Sequence, residues 1–280
     1  NALLVTERKF ENIKIVSTGG GAAGIACLNM LVKLGVRKKN IWLCDKHGLV
    51  YAGRSIDMNS EKSAFAQKTE LRSLEEVIEN ADMFLGLSGP NVLKPASIKK
   101  MKSKPIIFAL ANPSPEVMPE SARKAAPDAI IATGRSDFFN QVNNVLCFPF
   151  IFRGALDVEA TEINDEMQVA CIDAIAEIAQ TTTSAEAAAA YQGESLTFGP
   201  EYLIPKPFDP RLSVVIPAAV AKAAMDSGVA KKPISDLESY KDKLKEGVFK
   251  SALLMRPVFE TAKKVNRKIV FAEGEDERVL

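Results

Sequence analysis

The sequence predicts an α/β fold: a doubly wound parallel sheet with helices added at its carboxyl-terminal side. Three observations carry this. Short, apolar, β-branched runs alternate with helical segments from Ile13 to Ala132. The first run, Ile13-Lys14-Ile15-Val16, leads through Gly19-Gly20-Gly21-Ala22-Ala23-Gly24 into a helical stretch ending at Leu34. The second run, Ile41-Trp42-Leu43-Cys44, closes on Asp45, which lies 21 residues beyond Gly24.

That spacing is the fingerprint of a Rossmann-type dinucleotide site. Gly19 permits the tight turn, Gly21 lets the backbone approach a pyrophosphate, and Gly24 lets the helix sit close to the strand. The unpaired amides and dipole at the helix start favour phosphate. Asp45 stands where a ribose-binding acid is expected. The alternative is a glycine-rich turn that takes no nucleotide.

Further along, Lys46–Ser55 reads as a loop carrying Gly48 and Gly53, followed by a helix with Ser60 as N-cap and Lys62–Gln67 inside. Ser73-Leu74-Glu75-Glu76 is a capping-box pattern that opens a helix over Leu74–Asn80. Met83–Leu87 is a strand ended by Ser88-Gly89-Pro90, and Ala96–Met101 is a short helix. The strand Pro105–Leu110 stops at Ala111-Asn112-Pro113-Ser114-Pro115, so Asn112 falls at a strand's carboxyl end, where open α/β sheets bind ligands. Ala129–Ala132 is one more strand. Thr161–Ala179 carries Ile163, Met167, Ala170, Ala174 and Ile178 on one helical face. Thr181–Ala190 is an alanine-rich connection or helix start. Phe198–Leu212, proline-rich with aromatics, predicts an ordered, extended excursion. A long helix follows over Arg211–Ser227, with Pro217 expected to kink or break it. Asp236–Lys264 is charged with regular apolar positions, as in surface helices.

Composition narrows the function. With 280 residues, 47% hydrophobic and 25% charged, the chain can bury a sizeable core. A net charge of +1 points to neither nucleic acid nor a membrane surface as partner. No apolar stretch is long enough to span a bilayer, the run around Val145–Phe152 being broken by Pro149. Cys27, Cys44, Cys147 and Cys171 are widely spaced, without a C-x-x-C pair, and are expected to be buried free thiols in a reducing, cytoplasmic compartment.

The chemistry-bearing residues are few. His47 is the single histidine and is expected to be an exposed loop imidazole. No clustered Cys/His or H-E-x-x-H set suggests a metal. Asn112, Asn143 and Asn144 offer amide donors and acceptors at turns, able to read a carboxamide or a carboxylate but not to supply a proton. Neither a base for oxidising a hydroxy acid nor a cage for a metal emerges.

Four stretches, IVSTGGGAAGIACLNML, WLCDKHGLVY, FALANPSPEVMPE and ATGRSDFFNQVNNVLCFPFIFRGALD, together resemble the NAD(P)-binding domain of malic enzyme. FGPEYLIPKPFDPRL resembles the large bacterial form, and RKIVFAEGEDERVL the opening of the phosphotransacetylase-like domain fused to it. The resemblance implies residues 1–228 as the NAD(P)-binding domain, 229–266 as a helical linker and 267–280 as the start of the second domain. It implies oxidative decarboxylation of (S)-malate to pyruvate and CO2 with NADP or NAD and Mg2+ or Mn2+. It assigns Gly19, Gly20, Gly21 and Ala22 to the pyrophosphate, Asp45 to the adenosine ribose, and Asn112 and Asn144 to the nicotinamide and malate pocket. The general-acid Tyr, general-base Lys and acidic metal ligands are expected upstream, so the chain reads as a segment of a longer polypeptide and as catalytically incompetent alone. A carboxylate at Asp45 favours NAD; Lys46 and Arg54 offset its charge, and the resemblance leans towards NADP. A homo-oligomer is implied, with an acetyl-CoA-type effector acting through the fused domain. Two alternatives stay open: another NAD(P)-dependent dehydrogenase on the same fold, such as one acting on amino acids, and a non-catalytic nucleotide-sensing module.

Overall fold

The computed structural model describes residues 1–181 and 196–247. A six-stranded sheet organises the first half: β1 (Ile15–Thr18), β2 (Ile41–Asp45), β3 (Gly48–Leu49), β4 (Met83–Gly86), β5 (Ile106–Ala109) and β6 (Ile130–Thr133). Their order is β3-β2-β1-β4-β5-β6. β1 pairs in parallel with both β2 and β4, and β5 joins β4 to β6 in the same sense. The chain order reverses between β1 and β4, which makes that junction the switch point where such sheets bind ligands. The doubly wound reading holds in detail. Ile15, Leu85, Ile106 and Ile130 enter one core, while their neighbours Val16, Phe84, Ile107 and Ile131 enter the other. Alternation along each strand thus feeds two apolar layers, as period-two geometry requires.

The helices flanking the sheet are α1 (Ala2–Val5), α2 (Ala22–Lys33), α3 (Ser60–Ser63), α4 (Leu74–Val77), α5 (Pro95–Ile98) and α6 (Pro119–Ala125). The capping box at Ser73 is formed, with Glu76 accepting the Ser73 amide at 2.8 Å. Three local expectations are corrected. β3 lies antiparallel to β2, Asp45 opposite Gly48, so part of the Lys46–Ser55 loop is a tight hairpin; a two-residue strand is too short to leave a pattern. The cap of α3 is Asn59, whose Oδ1 accepts the Lys62 amide at 2.8 Å, rather than Ser60. That helix ends at Ser63 because Gln67 is needed elsewhere: its backbone bonds to Val50 and Ala52.

A third core is helical. α7 (Phe148–Asp157), α8 (Asp165–Gln180) and α9 (Leu212–Asp226) pack with a helix at 237–247 around Met167, Cys171, Ile178, Ile216, Val220 and Leu244. α8 begins later than expected, after Asn164, which caps the Met167 amide at 3.1 Å. Pro217 does not break α9; it lies buried inside a continuous helix. Gly154 of α7 allows the approach, since a Cβ there would stand 2.6 Å from the Pro217 carbonyl. Close packing on α7 holds the helix through the missing N–H. The Phe198–Leu212 excursion is ordered, with Tyr202 and Leu203 buried. Buried Asn140 fastens it to the sheet, donating to Ile131 and Pro200 carbonyls at 3.0 and 2.8 Å and accepting the Leu203 amide at 2.8 Å. The alanine-rich stretch beyond Thr181, most of the charged run past residue 247, and residues 267–280 lie outside the described residues.

Candidate functional site

The turn from β1 into α2 is built by its glycines. Gly19 has φ +107°, and a Cβ there would overlap the Leu87 carbonyl. A Cβ at Gly24 would overlap the Gly19 carbonyl, so the first turn of α2 can sit this close to the strand only with glycine there. A Cβ on Gly21 would meet nothing within 4 Å, and Gly21 and Ala22 are exposed. Gly21 is the N-cap of α2, and no side chain caps that end. The result is an open, uncapped helix start at the carboxyl edge of the sheet beside the β1/β4 switch point. Its residues fit a pyrophosphate.

Asp45 ends β2 beside this turn, and its carboxylate is almost completely enclosed. Arg54 grips it with both terminal nitrogens, one of them at 2.9 Å to Oδ1. Lys62 Nζ lies 3.0 Å from Oδ2 and the His47 amide 2.9 Å from Oδ1. Burial pushes the Asp45 carboxyl up, but hydrogen bonds from Arg54, the His47 amide and Lys62 outweigh it and hold the pKa at about 2. Lys62 also bonds the Asp57 carboxylate at 3.1 Å; burial opposes its charge, yet the two acids raise its pKa. Its stem runs against the glycine turn, since a Cβ on Gly20 would stand 2.8 Å from Lys62 Cε. Asp45 is therefore a charge already matched by two cations. His47 is a loop imidazole, 39% exposed, at 4.0 Å from Asp57.

Across the switch point, two loops leave the ends of β4 and β5. Gly89 is open, nothing lying within 4 Å of its Cβ position. Asn112, exposed and followed by a cis peptide to Pro113, lays its amide against the next loop, 2.7 Å from where a Gly134 Cβ would be. Asn143 and Asn144 separate in role: Asn143 caps a short 3-10 turn through the Val145 amide at 3.1 Å, while Asn144 is exposed. Among the described residues no group of three His, Cys, Asp or Glu is arranged to hold a metal ion, so the donors described do not fit one.

The family description for the malic enzyme NAD-binding domain matches residues 1–191. The chain belongs to this family. An NADP-dependent malic enzyme of Salmonella typhimurium is 56% identical over all of this chain, which covers 37% of that protein. An NAD-dependent malic enzyme of Rhizobium meliloti is also 56% identical, again over the whole chain and 36% of its own length. The chain thus spans little more than a third of the length of these two relatives. Among solved structures, malic enzyme from Entamoeba histolytica superposes with TM-score 0.78 at 32% identity, over 92% of this chain and 52% of that one. The Pyrococcus horikoshii malic enzyme gives 0.75 at 33% identity, over 94% and 58%.

In this malic enzyme domain the structure brings two further residues to the site that sequence reasoning did not single out. Lys62 lies in a short helix with no motif and reaches Asp45 across 17 positions. Glu116 follows the Asn112-Pro113 turn, carries no signal of its own in the sequence, and is fully buried. The cysteines are free, as expected, but only Cys44 and Cys171 are buried; Cys27 is exposed on α2 and Cys147 is half-buried. No described helix is long and apolar enough to cross a membrane. An apolar cavity of about 260 Å³ lined by Ile13, Met83 and Ile106 sits at the strands' starts, away from the glycine turn.

Proposed function

We propose that this chain is the cofactor-binding part of a malic enzyme that converts (S)-malate to pyruvate and CO2 in the cytoplasm. The observation that carries the reading is the open, uncapped start of α2 at the switch point, in a chain of the malic enzyme NAD-binding family. When bound, the nicotinamide cofactor accepts the hydride removed from malate. The α2 amides hold its pyrophosphate, and Asn112 and Asn144 orient its carboxamide and the substrate. These amides move no proton, and the described residues do not cage a metal. The proton-transferring Tyr and Lys and the ligands for Mg2+ or Mn2+ are supplied by the rest of the polypeptide. Residues 1–228 make up the cofactor domain, 229–266 connect it onward, and 267–280 belong to a phosphotransacetylase-like domain through which an acetyl-CoA-type effector acts on a homo-oligomer.

For the cofactor we favour NADP. The relatives carry both names at equal identity, so similarity does not decide. The charges around Asp45 favour a 2′-phosphate: Lys46, Arg54 and Lys62 face Asp45 and Asp57, and Lys62 lies along the glycine turn. The test is steady-state kinetics of the full-length enzyme with malate and Mn2+. Lys62→Ala is expected to lower kcat/KM for NADP about tenfold or more while leaving NAD within about twofold, the size of one charge-assisted hydrogen bond. Equal losses with both cofactors would refute the NADP assignment. Asn112→Ala should abolish most malate turnover; a nucleotide sensor would keep its response and change only its affinity.

A further inference from the structure

Glu116 is a fully buried carboxylate, and among the described residues it forms no ion pair. Buried carboxylates normally require a cation or a set of hydrogen bonds. Glu116 has the second. Its Oε1 accepts the Ser88 amide at 2.8 Å and lies 3.2 Å from the Ser88 hydroxyl; its Oε2 accepts the Ala111 amide at 3.1 Å. Ser88 Oγ also bonds Thr18 Oγ1 at 2.8 Å, extending the network to the end of β1. Three strand ends are thereby joined: β1 through Thr18, β4 through Ser88 and β5 through Ala111.

The fold makes room for this group. A Cβ on Gly86, the last residue of β4, would overlap the Glu116 carboxyl carbon and stand 2.6 and 2.7 Å from its oxygens. Ala111 directly precedes Asn112, and Ser88 directly precedes the open Gly89. In a dinucleotide-binding sheet with its ribose-side acid on β2, the nicotinamide half lies over β4 and β5.

We propose that Glu116 is a positioning residue for the nicotinamide half of the cofactor: it clamps the two strand-end loops and so sets Asn112 against the ring. The proposal rests on the malic enzyme reading above. An acceptor at both oxygens is essential. A glutamine in the same place presents one oxygen and one N–H donor, which leaves one of the two backbone amides facing a donor.

The experiment compares the full-length enzyme with Glu116→Gln and with Gly86→Ala, which keeps Glu116 but places a methyl where its carboxylate lies. Two ligands are titrated: the dinucleotide the wild type binds more tightly, and the same molecule without its nicotinamide ring. Both variants should bind the ring-less molecule within about twofold of wild type, bind the complete dinucleotide about tenfold more weakly, and lose kcat by tenfold or more. Equal weakening for both ligands, no weakening for either, or loss of the fold in both variants would make Glu116 a structural carboxylate and overturn the proposal. Failure of the wild type itself to bind dinucleotide or oxidise malate would count against the malic enzyme reading instead.

Discussion

Asp45 and Glu116 both lie at the carboxyl edge of one sheet, on opposite sides of the β1/β4 switch point, and both have enclosed carboxylates. They are held by different means. Asp45 sits between two cations, Arg54 and Lys62, whose side chains are 3% and 8% exposed. Glu116 is held by two backbone amides and a hydroxyl. Charges that match charges can be retuned by a ligand's own charge, which suits the 2′-phosphate recognition proposed for this end. Amides fixed to strand ends respond to shape, which suits the positioning role proposed for Glu116. One edge thus carries an electrostatic half and a geometric half.

The comparison can be broken, in order of expected effect. Asp45→Asn removes the shared anion and leaves Arg54 buried without its counter-charge. Urea unfolding should show a loss of about 3 kcal/mol, the range for breaking a buried pair. If the loss is under about 1 kcal/mol, the cluster is not what holds that end.

Acid is the next lever. The folded pKa of Asp45, about 2, lies below the ordinary 3.8. Its stabilisation is therefore complete above the ordinary value and is lost as pH falls through about 2. The gap in urea midpoint between wild type and Asp45→Asn should be wide near about pH 5 and close towards about pH 2. A gap that stays constant would mean that the pair does not set the titration.

The smallest effect sharpens the contrast. Lys46 reaches Asp57 only at 3.8 Å and is 74% exposed. Lys46→Ala should leave Tm unchanged, as exposed pairs contribute little. A clear drop in Tm would extend the cluster outward to the hairpin tip.

Much of this was legible in the sequence. The parallel strands, the glycine turn, the capping box at Ser73 and the position of Asn112 at a strand end all follow from local rules: alternation, φ freedom and proline stops. The residues that were misread or passed over depend on distant partners. Asn59 takes the cap from Ser60 through the Lys62 amide, and α3 stops at Ser63 because Gln67 is drawn to Val50 and Ala52. Pro217 stays helical because Gly154 lets α7 close on it. Asn140 binds an excursion 60 positions away.

The sequence by itself determined the strand and helix pattern and the chemistry of the turn, because those depend on neighbours within a few residues. Only the tertiary structure decided the state of the charges: that Asp45 is matched by Lys62 as well as Arg54, and that Glu116 lies buried beneath the strand-end loops. A carboxylate's energy depends on which donors surround it in space, and those donors come from separate strands brought side by side by folding.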